Sequence, residues 1–488
     1  MTRFLPPLLA ALFAAFTLAA CAAMPATPRE HVDLLIRSAN VVDVAAGTVT
    51  PGQAIAIRGQ DIVAVVPDAE AGRFEATTTT DVHGRYVMPG LWDMHVHFGG
   101  GPALIDENAD LFPLYVANGI VAVRDCAGDL AEQVLAWRDG MKPDADQPRI
   151  FTSGPKIEGI APVWKGTLET GSEADVDAAL DRLQAMHVDF VKITDNTLKP
   201  ELFLYAVREA KTRGLKTSAH IPMSIPVLEA AEAGLSSIEH LDYLMKAGSR
   251  DEAAISADYL AGKYTYAQTM ARYADTFDPE VARRAYRRLA ELGVAVTPTL
   301  YGSTVLSNLD RDDHSHDAGL AYIGPGLRAT YDWRIQRAAQ ATPEMIAARH
   351  HVNDVTSRVL PMLRDAHVTI LTGTDAGFLN SFNYPGFSLH DELALYVKLG
   401  LTPREALMGS VVDGPRFLGQ GDRYGAVAAG KAANLLVLDA DPLKDIAATR
   451  AASDVILRGR LIDRAGLQAM REDVRRRVAA RPPVAPAA

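Results

Sequence analysis

The chain has 488 residues, of which 48% are hydrophobic, so it can bury a large core and is typical of a globular protein. It carries 49 basic and 60 acidic residues and a formal net charge of -11, with no long basic run inside the body of the chain. This acidic balance argues against nucleic acid as a partner.

The first twenty residues have the pattern of a bacterial secretory signal. Arg3 supplies the positive start, and an apolar stretch too short to span a bilayer leads to Cys21. The run Leu18-Ala19-Ala20-Cys21 resembles a lipobox, which predicts a signal peptide over residues 1–20 and lipidation of Cys21. The alternative is conventional cleavage between residues 20 and 26. We expect a periplasmic protein of a Gram-negative-type bacterium, held at the outer membrane only by this lipid anchor.

The mature chain would then keep a single cysteine. Cys126 is the one that remains after Cys21, so no intrachain disulfide can form despite the oxidising compartment. The stability of the fold must therefore come from its core and from any bound metal.

The body of the chain falls into two kinds of pattern. Residues 30–88 and 422–465 contain short alternating strands separated by turns, which indicates a small β unit at each flank. Between them, residues 89–421 alternate apolar strands with amphipathic helices. The strand candidates are residues 87–98, 120–125, 149–153, 188–194, 216–220, 236–240, 294–299 and 368–375. Eight such units predict an α/β fold, a (β/α)8 TIM barrel whose functional residues lie at the carboxyl ends of the strands.

The connections between these strands also carry information. Residues 201–213 and 279–292 have helical patterns, as a barrel requires. Residues 241–278 and 301–343 form long connections, which are typical of lids or specificity loops. Residues 475–488 are rich in Arg, Pro and Ala and predict a flexible tail.

The first strand candidate ends in two histidines separated by one residue. In an extended strand, His95 and His97 point to the same face, so both imidazoles can bind one metal ion. The alternative is that backbone hydrogen bonds satisfy both rings.

Four further strand ends carry groups that can bind metal. Lys192 lies in an apolar strand, where burial favours a neutral amine that can react with carbon dioxide to form a carbamate. The alternative for this lysine is a salt bridge with Asp195 or a position at the barrel rim. His220, His240 and Asp375 each close a strand, although each could be structural, and Asp375 could cap a helix. Six potential ligands on five strand ends predict two divalent cations that share a bridging water.

These residues occur within longer motifs that resemble the amidohydrolase superfamily over nearly the whole mature chain. The motifs include Pro89-Gly90-Leu91-Trp92-Asp93-Met94-His95-Val96-His97, Phe190-Val191-Lys192-Ile193, Ser218-Ala219-His220, Ile238-Glu239-His240 and Thr372-Gly373-Thr374-Asp375. They are most similar to the imidazolonepropionase-related group, which includes Xaa-Pro dipeptidases. The resemblance implies that the two flanks join in one small β-sandwich domain beside the barrel.

The resemblance also implies a role for each ligand. His95, His97 and Asp375 would bind the more buried metal, and His220 and His240 the more exposed one. Lys192, modified to N6-carboxylysine, would bridge the two. Zinc suits imidazole and carboxylate ligands, with manganese, cobalt and iron left open.

The implied activity is hydrolysis of amide bonds in a small-molecule substrate, such as a dipeptide or an N-acyl amino acid. A bridging hydroxide would attack the carbonyl carbon, with Asp375 as general acid and base. Asp93 could orient the site or be a plain strand-end residue. The same site could instead act on esters, lactones or phosphotriesters. A deaminase is disfavoured, because Met223 stands where such enzymes have a glutamate.

Several other polar residues remain open at the level of sequence. Lys156, Lys165 and Arg124 could bind a substrate carboxylate, although a solvated surface position is the expectation for each. His390 could face the pocket or contribute to helix packing. The second H-x-H pair, at His314 and His316, lies in a polar loop, which favours a structural or solvated role. Assembly into a homo-oligomer is compatible with this pattern.

Overall fold

A computed structural model describes residues 29–483. The predicted signal peptide, Cys21 and residues 484–488 lie outside the described residues. Within the described part of the chain, no helix is both long and apolar enough to cross a membrane.

Residues 29–483 form 18 strands in the following order. They are β1 Glu30–Asp43, β2 Thr48–Arg58, β3 Asp61–Pro67, β4 Phe74–Asp81, β5 Tyr86–Pro89, β6 Leu91–His97, β7 Ile120–Asp125, β8 Arg149–Thr152, β9 Lys156–Glu158, β10 Thr167–Glu169, β11 Val191–Ile193, β12 Thr217–Ala219, β13 Ser237–Glu239, β14 Ala295–Thr297, β15 Ala376–Gly377, β16 Leu435–Leu438, β17 Ala452–Leu457 and β18 Arg460–Ile462.

Nineteen α-helices accompany them in the described residues. They are α1 Ile105–Ala109, α2 Phe112–Ala117, α3 Ala131–Asp139, α4 Glu173–Ala185, α5 Pro200–Thr212, α6 Val227–Ala233, α7 Asp242–Ala247, α8 Glu252–Leu260, α9 Tyr266–Asp275, α10 Pro279–Leu292, α11 Leu300–Ser307, α12 Pro325–Ala329, α13 Asp332–Ala339, α14 Pro343–Ser357, α15 Val359–Asp365, α16 Ser388–Lys398, α17 Pro403–Met408, α18 Gly414–Phe417 and α19 Arg464–Ala480.

Strands from both flanks of the chain pair in one eight-stranded sheet. Its order is β18-β17-β16-β5-β1-β2-β3, with β4 paired to β1, and the antiparallel pair β5 and β16 joins the two flanks. Buried apolar side chains of this sheet form two small clusters. The sheet therefore combines the two flanks as predicted, while a sandwich of two layers stays a prediction.

The middle of the chain confirms the predicted α/β architecture. Parallel strands form a six-stranded sheet, β10-β9-β11-β12-β13-β14, and a four-stranded sheet, β15-β6-β7-β8. An isolated parallel bridge links Val296 to Ile370, and the Met94 amide donates to the Thr372 carbonyl at 2.9 Å. Residues 370–372 thus contact both β14 and β6.

Helix α10 illustrates how local sequence sets these elements. The Asp278 side chain accepts hydrogen bonds from the amides of Glu280 and Val281, and Pro279 occupies the first turn, where no amide donor is needed. Gly293 ends the helix with φ +72°, a left-handed conformation that glycine adopts without strain. One face of the helix is buried through Ala282, Ala285, Tyr286 and Leu289.

The structure corrects several predicted strands. The first candidate divides at Gly90, where β5 joins the flank sheet and β6 the parallel sheet. The eighth candidate, residues 368–375, is irregular, and only Ala376–Gly377 pairs as a strand. This segment contains a turn at Asp375, whose φ of +63° is incompatible with a continuous strand. Strands β9 and β10 were not predicted.

The long connections and the tail also differ from expectation. Residues 241–278 contain α7, α8 and α9, and residues 301–343 contain α12, α13 and most of α11, so neither is an open loop. Helix α19 continues through the first six residues of the predicted flexible tail. The helix is held there because Arg477 and Arg481 both pair with Asp110.

Replacing Leu467 with alanine tests the packing of α19. Leu467 is buried in the main apolar core, so Leu467→Ala should lower the free energy of unfolding by about 2–4 kcal/mol. The exposed control Arg476→Ala on the same helix should change it by less than about 0.5 kcal/mol. Equal denaturation midpoints for the two variants in urea would contradict this packing.

Candidate functional site

Two histidines of β6 and the turn after residue 374 form the first part of the site. The Nε2 atoms of His95 and His97 are 3.2 Å apart. Asp375 Oδ1 lies 2.9 Å from His97 Nε2 and 3.5 Å from His95 Nε2. The structure therefore brings together three side chains that the sequence predicted as one ligand group.

A second pair of histidines lies beside the first. The Nε2 atoms of His220 and His240 are 3.0 Å apart, and these residues follow β12 and β13 directly. The rings of His95 and His240 have centroids 5.1 Å apart. Four imidazoles from three neighbouring strand ends thus form one contiguous cluster.

The other nitrogen of three of these rings is already engaged. His95 Nδ1 lies 2.7 Å from Glu239 Oε2, and His97 Nδ1 lies 2.5 Å from the Ala127 carbonyl oxygen. His240 Nδ1 contacts the Thr299 hydroxyl at 2.7 Å. Because a carbonyl oxygen can only accept, His97 Nδ1 must carry the proton, which leaves a lone pair on Nε2.

Burial keeps three of these imidazoles neutral, those of His95, His220 and His240. It lowers the pKa of His95 and of His240 to about 3, and it lowers the pKa of His220 well below its usual value. Burial alone would raise the pKa of Asp375, but the adjacent imidazoles of His97, His240 and His95 outweigh it and hold that pKa well below its usual range. The cluster therefore presents neutral nitrogen donors next to a carboxylate.

Lys192 is buried beside this cluster and lacks a hydrogen-bond partner. It is 1% exposed, and its Nζ contacts no acceptor among the residues that the structure describes. Its neighbour in register on β12 is Ser218, whose hydroxyl donates to Glu239, the partner of His95. A buried ammonium without an acceptor carries a large desolvation cost, which favours a chemically altered or ligand-bound state.

Glu239 and Arg124 form a buried pair that sequence reasoning missed. Glu239 accepts from Arg124 and His95, each at 2.7 Å, and from the hydroxyls of Ser218 and Ser237. Arg124 is fully buried, which corrects the expectation of a surface charge. The available signal was a glutamate within a buried strand, since such a group needs a partner.

Asp93 connects the first strand to the turn that carries Asp375. It accepts from the Thr374 hydroxyl at 2.7 Å and from the Thr374 amide at 3.0 Å. Its burial raises the pKa to about 7. Asp93 is thus buried behind the ligands and orients the residue next to one of them.

The backbone is strained at this end of the strands. His240, Thr299 and Asp375 adopt φ angles of +71°, +48° and +63°. Residues other than glycine rarely occupy this left-handed region. Each such residue costs on the order of 1 kcal/mol, and strain of this kind concentrates at functional sites.

The remaining histidines lie elsewhere. His390 is buried on α16, where its ring contacts the Asn118 carbonyl and the Thr449 hydroxyl, each at 3.0 Å. It therefore contributes to packing and does not reach the cluster. His314 stacks on Phe382 with centroids 4.7 Å apart and pairs with Asp317, which makes its role structural.

The donor set of this cluster fits divalent metals. Ligand atoms of His95, His97 and Asp375 lie close enough to share one ion, and so do atoms of His95, Cys126 and Glu239. In the second group both Glu239 oxygens are already hydrogen-bonded, and burial raises the pKa of the Cys126 thiol to about 12. The first group, with free nitrogen lone pairs and a carboxylate, is the better match.

The described residues form an open cavity of about 470 Å³. Leu379, four residues after Asp375, contributes to its wall. Trp164 and Trp333 form an aromatic side, with an edge-to-face contact at 6.3 Å between ring centroids. A small molecule with an apolar part fits such a cavity.

Comparison with known proteins places this arrangement among hydrolases. The model of the amidohydrolase family matches residues 86–462. An imidazolonepropionase of Klebsiella pneumoniae (strain 342) is 24% identical over 403 residues, which cover 80% of the chain and 86% of that protein. The crystal structure of a Xaa-Pro dipeptidase with bound methionine superposes with a TM-score of 0.64 at 20% identity, covering 88% of this chain and 99% of the other, and shows a shared fold.

Sequence identity to adenine deaminases is higher, but it extends over a short part of the chain. Adenine deaminase 3 of Rhizobium meliloti (strain 1021) is 39% identical over 155 residues, which are 31% of this chain and 26% of that protein. The chain thus spans about a quarter or less of the length of the adenine deaminases that it matches.

Glu239→Gln tests the buried pair behind His95. The change removes the charge that compensates Arg124, so we expect the free energy of unfolding to fall by roughly 3–5 kcal/mol. Glu229→Gln, at an exposed position on α6, is the matched control and should have almost no effect. If both variants unfold at the same urea concentration, the pair does not stabilise the fold as described.

Proposed function

Because the chain belongs to the amidohydrolase family and is therefore a hydrolase, we propose that it cleaves amide bonds with the help of two divalent cations. The substrates are dipeptides or N-acyl amino acids, and the site is the cluster around His95, His240 and Asp375.

The pairing of imidazole nitrogens carries this proposal. His95 and His97 face each other through Nε2 at 3.2 Å, and His220 and His240 do so at 3.0 Å. The Nδ1 partners of His95 and His97 leave lone pairs on both Nε2 atoms of this pair, and these repel each other, whereas a cation bound by both nitrogens turns the contact into an attraction. The nitrogens of His220 and His240 lie at a similar distance and can share a cation in the same way. Each pair is thus suited to hold one ion.

The ligand assignment follows from these pairs. His95, His97 and Asp375 hold one cation, and His220 and His240 hold the other. Lys192, as a carbamate, supplies the shared anionic ligand. Zinc suits this set of imidazole and carboxylate donors.

The neighbour of Lys192 supports the carbamate. Lys156 lies directly opposite Lys192 in the parallel pair of β9 and β11, because Ile157 is in register with Ile193. Two ammonium groups opposite each other destabilise a sheet, whereas a carbamate on Lys192 would remove this repulsion and would share its negative charge with the two cations.

The residues of the chain divide the catalytic work among themselves. When bound, the two cations polarise the scissile carbonyl and make water acidic enough to ionise near neutral pH. Asp375 accepts the proton of the attacking water and delivers it to the leaving amine. Asp93 keeps the turn at Thr374 in place, and Glu239 fixes the ring of His95.

Architecture and location complete the proposal. The strands between residues 91 and 377 close as an eight-stranded barrel, in which β8 and β9 count as one interrupted strand and β10 lies outside the barrel. The contacts of residues 370–372 with both β14 and β6 support this closure. The flank sheet packs beside it as a small sandwich domain. The enzyme is a periplasmic lipoprotein anchored through Cys21 to the outer membrane, which the sequence pattern of residues 1–21 supports.

Lys192→Ala tests the shared ligand. We expect the variant to retain fewer than two metal ions per chain after dialysis and to lose at least about a hundredfold in kcat/KM. His390→Gln changes a buried histidine outside the cluster and serves as the control, with two ions retained. Metal content is measured by inductively coupled plasma mass spectrometry. The carbamate is detected by ¹³C NMR of protein kept in ¹³C-labelled bicarbonate. Two tightly bound ions and full activity in Lys192→Ala would refute the assignment.

A panel of substrates tests the bond that is cleaved. Dipeptides, N-acyl amino acids, lactones and phosphotriesters are compared by kcat/KM on the zinc-loaded enzyme, and amides should be the fastest class. Asp375→Asn should lower kcat for the best amide by about a hundredfold or more, because it removes the proton acceptor. A lactone or phosphotriester that exceeds every amide would instead favour the alternative activity on those bonds.

A further inference from the structure

We propose that Lys156 binds a free carboxylate of the substrate and that Trp164 contacts the apolar group next to it. This inference rests on the proposed function, since it places the substrate beside the histidine cluster. It narrows the substrates to molecules that carry an anionic group close to the cleaved bond, and it makes Lys156 a specificity residue.

The sheet register places Lys156 on the same face as Lys192. Neighbouring residues in register across parallel strands point their side chains to the same side. Ile157 pairs with Ile193, so Lys156 is the neighbour of Lys192, and the two isoleucines point to the opposite, apolar face. Lys156 therefore extends from the strand face that also carries Lys192.

Lys156 is mostly buried, and its amine is not paired. The residue is 7% exposed and forms no ion pair with the described residues. Its Nζ lies 5.4 Å from the ring centroid of Trp164, which contributes to the wall of the 470 Å³ cavity. The ammonium thus lies near both Lys192 and the cavity wall.

Nearby carboxylates are already occupied by other donors. Glu158 accepts from the backbone amides of Gly159, Thr197 and Leu198, all at 2.9 to 3.0 Å. Asp129 Oδ1 accepts from two backbone amides of the loop after β6, at 2.8 and 3.1 Å. A buried cation whose acidic neighbours are engaged elsewhere is suited to pair with a ligand anion.

The cavity fits the rest of such a substrate. Trp164 and Trp333 meet edge to face and offer apolar surface, and Trp333 is 37% exposed although it is a large aromatic residue. Exposed aromatic rings that border a cavity are typical of ligand contacts. Leu379 joins this wall to the turn at Asp375. An amino-acid carboxylate on Lys156 thus leaves its apolar side chain against Trp164.

Binding of two matched probes tests the carboxylate contact without turnover. The probes are N-benzenesulfonyl-L-leucine and its carboxamide, which differ only in the charged group and contain no acyl amide between the sulfonyl group and leucine. Their dissociation constants are measured by calorimetry on the full, zinc-loaded chain. We expect the carboxylate to bind about tenfold tighter than the carboxamide, as a charge-assisted hydrogen bond provides.

Two variants assign this preference to one residue. Lys156→Met removes the charge and keeps the length of the side chain, so it should bind both probes equally while retaining its metal content. Lys165→Met removes an exposed lysine next to Trp164 and should keep the tenfold preference. A preference that survives in Lys156→Met, or its absence in the unchanged protein, would overturn the proposal.

Two further outcomes would overturn the carboxylate subsite. If Lys156→Met weakens both probes equally and loses metal, Lys156 acts on Lys192 and not on the substrate, which overturns the carboxylate subsite. No saturable binding of the carboxylate probe overturns it as well. Because neither measurement depends on hydrolysis of an acyl bond, a failure of amide cleavage would refute the proposed function while leaving the carboxylate preference intact.

Discussion

The hydrogen bond between His95 Nδ1 and Glu239 is the interaction on which the site depends. It fixes the proton on one nitrogen of the ring and leaves the other as a free donor, 3.2 Å from its counterpart on His97. Glu239 can remain ionised in a fully buried position because Arg124 and two serine hydroxyls pair with it. The ion pair of Glu239 and Arg124 thus keeps one nitrogen of His95 free to bind a ligand.

The fold supplies this arrangement by bringing strand ends together. Strands β6, β12 and β13 end at or directly before the histidines of the cluster, and His240 and Asp375 both adopt a left-handed backbone conformation there. Burial favours the neutral form of His95, His220 and His240, and it also encloses the amine of Lys192, which contacts no acceptor among the described residues. Burial, strain and an unpaired amine at one place together make metal binding the best account of this cluster.

The sequence predicted more of the site than of its surroundings. Histidines at strand ends and the H-x-H spacing are local patterns, and the structure brings His95, His97, His220, His240 and Asp375 together. The partners Glu239 and Arg124 come from different strands, so only the register across the sheet reveals their contact. Lys156 looked like a surface charge for the same reason, since β9 has only three residues and gives no clear alternation. The eighth strand candidate, residues 368–375, was wrong in its bounds, because Asp375 lies on a turn and only Ala376–Gly377 pairs as a strand.

The location of bound metal tests the central claim most directly. Anomalous X-ray diffraction from crystals of the zinc-loaded protein would show where each ion lies relative to the two pairs of imidazole nitrogens. We predict two peaks, one at the pair of His95 and His97 and one at the pair of His220 and His240, with electron density for a carboxylate on Lys192 Nζ between them. A single peak, or an unmodified Lys192 with no contact to either ion, would contradict this account.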